Sequence, residues 1–330
     1  MDATRQGLDV AAIGEVLVDF TPADFGGETG FLPKPGGAPA NVAAAVSRLG
    51  GSSAFVGKVG SDRFGDFLKH SLASGGVDIS ALVTDESAPT TLAFVHLDES
   101  GERDFSFYRE FSADTRLEAS ELVLDVFDAC IVAHFGSVSL SASPSREATL
   151  QAVRYAKQKG KLVSFDPNYR PLLWKREADA VSAMGEGLRY ADIVKVSQGE
   201  MRLIAGTDDL EEGSARLAEH GAKLVVVTLG SLGSFFWHRG KTLSVSAPNV
   251  AATDTNGAGD AFLGGLLYCI CRKGFGMAFG EMEKAVMFAN ACGAIATTRP
   301  GAMSALPTLG EVKSILGEGM LDIGDNERSG

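Results

Sequence analysis

Strand-length apolar runs recur along this chain with helix-period segments between them, and few folds accommodate that alternation. The runs are Val10–Ile13, Ser53–Gly57, Ala129–His134, Leu162–Phe165, Ile193–Val196 and Leu224–Thr228. Between most of them residues of one face fall at i, i+3 and i+4, as Phe64, Phe67, Leu68, Ser71 and Leu72 do, which is the spacing of a helix packed on one side. Strands joined by helices run parallel, and a parallel sheet is covered on both faces. The expected fold is therefore α/β, a three-layer sandwich with a mostly parallel central sheet. By length alone, 330 residues would suit two domains, but no Pro-rich linker, low-complexity tract or internal repeat divides the chain. One α/β domain over residues 1–330 with a small appendage is the expectation.

The appendage is where the alternation fails. Thr91–Leu97 and Asp104–Arg109 are strand-like around the turn Asp98-Glu99-Ser100-Gly101, with no helix attached, a hairpin pattern. Residues Val16–Phe31 are Gly-rich and read as irregular. Together they suggest a small β-sheet lid built from residues 15–34 and 88–112. An ordinary edge hairpin is the alternative reading. The polar tail Gly317–Gly330 is expected to fray.

Charge narrows the partners. Lys and Arg number 30 against 42 Asp and Glu, a net charge of −12, which repels nucleic-acid phosphates and anionic lipid headgroups. An anionic ligand would need local devices such as helix N-termini, glycine loops or single arginines. The four cysteines, Cys130, Cys269, Cys271 and Cys292, have no zinc spacing, and Cys269 and Cys271 would diverge on a helix. They read as reduced core residues. The start MDATRQGLDV carries no basic segment followed by an apolar run, so a soluble, cytoplasmic protein is expected.

The densest chemical signal is Asp254-Thr255-Asn256-Gly257-Ala258-Gly259-Asp260, directly before the apolar helical run Ala261–Tyr268. Small residues at a helix start leave its first N–H groups open as an anion site. Asp260 inside that nest adds a base, and the pairing suits phosphoryl transfer. A plain loop with Asp260 as a helix cap fits the same residues. Neither G-x-x-x-x-G-K-[ST] nor G-x-G-x-x-G after the first strand occurs, so the common mononucleotide and dinucleotide motifs are absent.

A second cluster, Gly36-Gly37-Ala38-Pro39-Ala40-Asn41, precedes the expected helix Val42–Leu49. Its glycines admit close approach to the backbone, and Asn41 offers a donor and an acceptor. Asp19, at the end of the strand-like Glu15–Val18, would complete a polyol site; alone it is a surface acid, and the glycines are ordinary punctuation. Lys195 to Glu200 and Thr228 to Gly233 follow strands, where open α/β sheets bind ligands, although each also reads as a plain turn. Arg109 and Arg170 are the cations of most interest.

Taken together these residues resemble the ribokinase-like, PfkB-type carbohydrate kinases, and within them the fructokinases. The resemblance spans roughly residues 8 to 310 and rests on GEVLVDF, GGAPANVAAAVSRLGG, GKVGSDRFG, FSFYREFSAD, FDPNYRPLLW, KVSQGE, TLGSLG, DTNGAGDAFLGG and FANACGAIATTRPGAMSALP. It implies an ATP-dependent kinase acting on the 6-hydroxyl of fructose, with Asp260 as base and the backbone of Gly257, Ala258 and Gly259 as anion hole. It implies sugar contacts from Asp19, Gly36, Gly37, Asn41, Arg109 and Arg170. Lys195, Glu200, Thr228, Gly230, Gly233 and Asn290 match the ATP and Mg²⁺ region. Asp254, with carbonyls of Asn256, Ala296, Arg299 and Gly301, matches a K⁺ site. A homodimer through the lid is a further expectation. A 2-keto-3-deoxygluconate kinase, and an inactive sugar-binding or regulatory fold-mate, are the alternatives.

Overall fold

The computed structural model describes residues 7–97 and 103–317. In chain order the elements begin with β1 (Leu8–Ile13), β2 (Leu17–Asp24), β3 (Thr29–Gly36), α1 (Ala38–Arg48), β4 (Ser53–Gly60), α2 (Arg63–Ser74), β5 (Val77–Asp78), β6 (Leu82–Asp85), β7 (Leu92–Leu97) and β8 (Arg103–Tyr108). They continue with α3 (Asp125–Ala129), β9 (Cys130–Gly136), α4 (Ser145–Gln158), β10 (Leu162–Asp166), α5 (Glu177–Leu188), β11 (Ile193–Ser197), α6 (Gln198–Ala205) and α7 (Leu210–Ala218). The last are β12 (Leu224–Thr228), β13 (Ser234–His238), β14 (Lys241–Val245), α8 (Ala258–Lys273), α9 (Phe279–Ala296) and α10 (Leu309–Leu316).

The large sheet has the order β14-β13-β12-β11-β10-β9-β1-β4-β5, with β6 also on β4. It is parallel from β12 to β5, and β13 and β14 close one end antiparallel. The central strands bury both faces: Leu224 and Val226 of β12 join a core with α8 and α9, while Val225 and Val227 join the core on the other side with α4 and α5. That two-sided burial explains why these strands read as unbroken apolar runs. The chain leaves β1 toward β4 in one direction and enters β9 through β12 in the other. The order therefore reverses beside β1, the place where an α/β sheet opens a crevice at its strands' C-terminal ends.

A separate four-stranded sheet has the order β3-β2-β7-β8. Residues Val16–Phe31, expected to be irregular, form instead a regular hairpin paired from Leu17↔Gly36 to Asp24↔Thr29. The glycines confined to its tip are what made the stretch look unstructured: Gly26 and Gly27 take φ of +74° and +96°, and Asp24 Oδ1 accepts the Gly27 N–H at 2.6 Å. Pro33 and Pro35 are tolerated because β3 is an edge strand. Asp19 accordingly lies inside β2 rather than at a strand end. The turn expected at Asp98–Gly101 lies outside the described residues, as do residues 318–330 of the tail.

Two helices start earlier than their apolar runs suggested. α1 begins at Ala38 with Pro39 in its first turn, and α8 begins at Ala258, three residues before its apolar face. They pack closely because Gly264 has no Cβ; one there would stand 2.3 Å from Ala45 Cβ. No helix among the described residues is long and apolar enough to cross a membrane.

Candidate active site

Two cavities open at the C-terminal ends of the strands, and they meet at the first turn of α8. Ala258 and Gly259 line the larger, of about 370 Å³. Asp260, the next residue, lines the smaller.

Gly257 caps α8 in the left-handed region, φ +74°, where glycine carries no steric penalty. A Cβ on it would meet Ala302 Cβ at 2.7 Å, and one on Gly259 would meet Lys195 Nζ at 2.7 Å. The small residues thus let a neighbouring loop and an ammonium approach the helix start. Lys195 is buried and pairs with Asp166 at 2.8 Å. Burial works against its charge, but Asp166, Glu200 and Asp260 together hold its pKa above the ordinary lysine value.

Asp260 is buried, and its Oδ2 accepts the Asn41 Nδ2–H at 2.8 Å. Burial pushes its carboxyl up to about 6, while the Asn41 bond, Lys195 and Arg170 restrain the rise and Asp166 adds to it. A carboxylate with that pKa is ionised at neutral pH yet basic enough to take a proton.

The smaller cavity lies between the two sheets. Glu15, Leu17, Asp19, Gly37, Ala38, Asn41, Phe107, Val138, Asn168, Arg170, Leu173, Asn256 and Asp260 line it. Asp19 on β2 and Phe107 on β8 share one face of the small sheet through Ala93. The glycine doublet allows two close approaches: a Cβ on Gly36 would meet the tip of the Asp19 side chain, Oδ2, at 2.3 Å, and one on Gly37, φ +107°, would meet the Glu15 carbonyl at 2.5 Å. Asn168 adopts φ +45° in the turn before Arg170, its N–H bonded to Asp166 Oδ1.

Arg109 stands behind this cavity rather than in its wall. Its Nε donates to Asp114 at 2.7 Å, Nη1 to Ser141 Oγ at 2.7 Å and Nη2 to the Val138 carbonyl at 3.2 Å. Arg170 is the cation among the lining residues.

The larger cavity brings together Thr228, Gly230, Gly233 and Asn290 with the loop 247–252 and with Gly293, Ala294 and Thr297 of the α9 end. Gly233 takes φ +102°, and a Cβ there would meet the Val245 carbonyl at 2.1 Å. Asn290 Nδ2 donates to that same carbonyl at 3.0 Å. Lys195 and Glu200 lie outside this wall. Glu200 Oε2 accepts from Ser197 N–H and Oγ–H, and Oε1 accepts the Tyr169 N–H at 2.7 Å.

Asp254 ties two loops: Oδ1 accepts the Asn256 N–H and Oδ2 the Gly301 N–H, both at 2.8 Å. Ala296 ends α9 beside them, and Arg299 pairs outward with Glu311 at 2.8 Å. Among the described residues no group of three or more His, Cys, Asp or Glu could hold a metal ion. Asn256, expected in a cation site, also lines the smaller cavity.

The family model for pfkB family carbohydrate kinases matches residues 8–309. The chain belongs to that family. As a pfkB-family kinase it is a phosphotransferase that acts on a sugar hydroxyl. It is 44% identical over 313 residues to Fructokinase-1 of Zea mays, covering 93% of this chain and 97% of that protein. The crystal structure of the Xylella fastidiosa fructokinase with bound ATP superposes with a TM-score of 0.88 at 37% identity, covering 95% of this chain and 99% of that one. The Vibrio cholerae O395 fructokinase, in its fructose, ADP and calcium ion bound form, gives 0.85 at 38% identity, covering 96% and 100%.

Several residues lining this kinase's cavities were not singled out in the sequence. Glu15 was visible beside Gly14 in GEVLVDF, and Phe107 in the alternation of β8. Loop 247–252 carries no charge and no motif, so nothing in it signalled a cavity wall.

Proposed function

We propose that this protein is an ATP-dependent fructokinase, transferring the γ-phosphate of ATP to the 6-hydroxyl of fructose with Asp260 as general base. The observation that carries this reading is the junction at α8, where consecutive residues of one helical turn line both cavities. ATP would lie along Thr228, Gly230, Gly233 and Asn290 with its terminal phosphate at the N–H groups of Gly257, Ala258 and Gly259. Fructose would lie among Asp19, Gly36, Gly37 and Asn41, its hydroxyl toward Asp260. Phosphoryl transfer asks the protein for alignment and charge stabilisation more than for covalent help. Asp260 accepts the hydroxyl proton as the new P–O bond forms, Lys195 and Arg170 face the developing charge, and Asn41 keeps the acceptor oxygen of the base in line.

A Mg²⁺ ion bound with ATP would neutralise charge on its phosphates. Glu200, electrostatically coupled to Lys195, is the acid we assign to the water shell of such an ion. K⁺ would be held by Asp254 and the carbonyls of Asn256, Ala296, Arg299 and Gly301, a hard-oxygen set suited to a large monovalent ion.

We read the small sheet, residues 15–34 with 88–112, as a lid inserted into one α/β domain. Its closure would exclude water and limit ATP hydrolysis. The face away from the cavity carries Phe20 stacked on Phe94 at 4.7 Å, with Phe31 and Tyr108 edge-on to Phe94. Tyr108 is 66% exposed, and an aromatic sheet face of this kind suits a second copy of the chain. Four free cysteines, three of them buried, agree with a reducing, cytoplasmic setting.

A neutral sugar is favoured over a sugar acid by charge. The cavity wall holds three carboxyl groups, Glu15, Asp19 and Asp260, against the single lining cation Arg170, and Arg109 is committed to Asp114. A coupled ADP-release assay across sugars and sugar acids tests this. Fructose should exceed 2-keto-3-deoxygluconate by at least about tenfold in kcat/KM, ~1.4 kcal/mol. Preference for the acid would overturn the substrate assignment, and absence of turnover with every sugar would favour a non-catalytic fold-mate.

A further inference from the structure

Glu15 is a buried acid that the reaction scheme above leaves unused. It sits between β1 and β2, where the chain first crosses from the large sheet to the small one, and it is 3% exposed. Three contacts fasten this crossing to the start of α1. Glu15 Oε1 accepts the Ala38 N–H at 3.1 Å. The Glu15 carbonyl lies against Gly37, and Gly14 lies against Pro39, whose Cγ would be 2.7 Å from a Cβ at position 14. An acceptor at the first N–H of a helix satisfies an otherwise orphaned donor and complements the helix dipole. Ala38 opens α1, and Asn41, which closes the same first turn, donates to Asp260.

The second oxygen, Oε2, is buried without a hydrogen-bond partner. Arg109 and Asp114, where the chain returns from β8, act most on the Glu15 carboxyl and are paired with each other at 2.7 Å, while Asp19, Arg170 and Asp260 share its cavity wall. Burial pushes the Glu15 carboxyl up to about 7; its own backbone N–H, then Arg109 and least the Ala38 N–H oppose that rise, and Asp114 reinforces it. Glu15 therefore stands where the first crossing to the small sheet meets the return into α1, with the last return, at Arg109, beside it.

We propose that Glu15 is a positioning residue for the reaction: by holding the Ala38 N–H it sets the first turn of α1, and with it the Asn41 amide that bonds the Asp260 carboxylate. This rests on the reading of Asp260 as the base. A hydrogen bond donated to a carboxylate favours its charged form, so loosening α1 at Ala38 weakens the Asn41 bond and raises the pKa of Asp260. The charged groups facing Asp260 are Lys195, Arg170 and Asp166, and the Glu15 side chain bonds instead to the Ala38 N–H.

The test compares the pH dependence of kcat/KM in Glu15→Gln and Glu15→Ala. Both lack the ionisable group, but the amide keeps an oxygen for Ala38 and alanine does not. The acid limb of Glu15→Ala should lie above that of Glu15→Gln by about half a pH unit or more. Coincident limbs overturn the proposal. If Glu15→Ala does not fold, Ala38→Pro removes the donor instead, at a helix start that tolerates proline. An acid limb raised above wild type then supports the proposal, and an unmoved limb overturns it. Titration of the ¹³C-labelled Asp260 carboxyl reads the same shift without turnover. An Asp260→Asn enzyme that keeps its turnover would refute the base assignment, while the carboxyl titration would still decide the role of Glu15.

Discussion

Asn41 and Asp260 stand 219 residues apart in the chain, yet Asn41 Nδ2 donates to Asp260 Oδ2 at 2.8 Å. The bond exists because α1 and α8 pack through Gly264 and Ala45, which brings the first turns of two helices to one point. It is also the largest restraint on the rise of the Asp260 pKa to about 6.

Asn41→Ala should therefore move the acid limb of the pH–rate profile upward from about 6. The base is charged above its pKa, so activity is lost as pH falls through that value, and the variant loses it earlier. Its deficit should be larger at pH 6 than at pH 8, as kcat/KM profiles of the two enzymes would show. A deficit that is constant with pH would mean that Asn41 serves the sugar alone.

Asp19→Ala should weaken fructose far more than ATP, since hydrogen bonds to charged groups contribute about 1.5–3 kcal/mol each. Gly36→Ala should mimic it in part, because a Cβ at position 36 would collide with Asp19 Oδ2 at 2.3 Å. Steady-state KM values for both substrates check this. An equal rise in the KM for ATP would remove Asp19 from the sugar site.

Lys195→Met tests the buried pair with Asp166. Removing one partner leaves an uncompensated buried charge, which costs about 3–5 kcal/mol. Urea unfolding should show that loss, and the Asp260 pKa should rise because Lys195 is one of the groups restraining it. A variant as stable as wild type would mean that Asp166 has taken up a proton or reached solvent.

Much of this was legible in advance, for reasons that differ by element. The central strands of the large sheet are buried on both faces, so Leu224–Thr228 and its neighbours stood out as apolar runs. The Gly257–Asp260 nest was visible because it combines small residues with a helix start. Arg109 was legible as a residue but not as a position, since its commitment to Asp114, Ser141 and Val138 depends on loops that only the fold assembles. The hairpin of β2 and β3 was hidden by its glycine tip and edge prolines. Glu15 was hidden because the sequence does not tell a buried acid from a solvated one. The wall formed by residues 247–252 is backbone and small side chains, for which no residue pattern is required.

Potassium should raise activity over sodium at equal ionic strength. Asp254 braces the Asn256 and Gly301 amides, so an ion beside it would steady the loop that enters the nest. Initial rates in potassium, sodium and a bulky organic cation check this, and identical rates in all three would exclude the site.

The most direct test of the account is Asp260→Asn, assayed for turnover and for binding side by side. The amide keeps the shape of the carboxyl and an oxygen for Asn41, but it cannot take a proton. Calorimetry should find fructose and ATP binding nearly intact while kcat falls by about 10²–10⁴-fold, the usual worth of a general base. A kcat within about threefold of wild type would contradict the account, because a transition-state role for Asp260 cannot leave turnover unchanged.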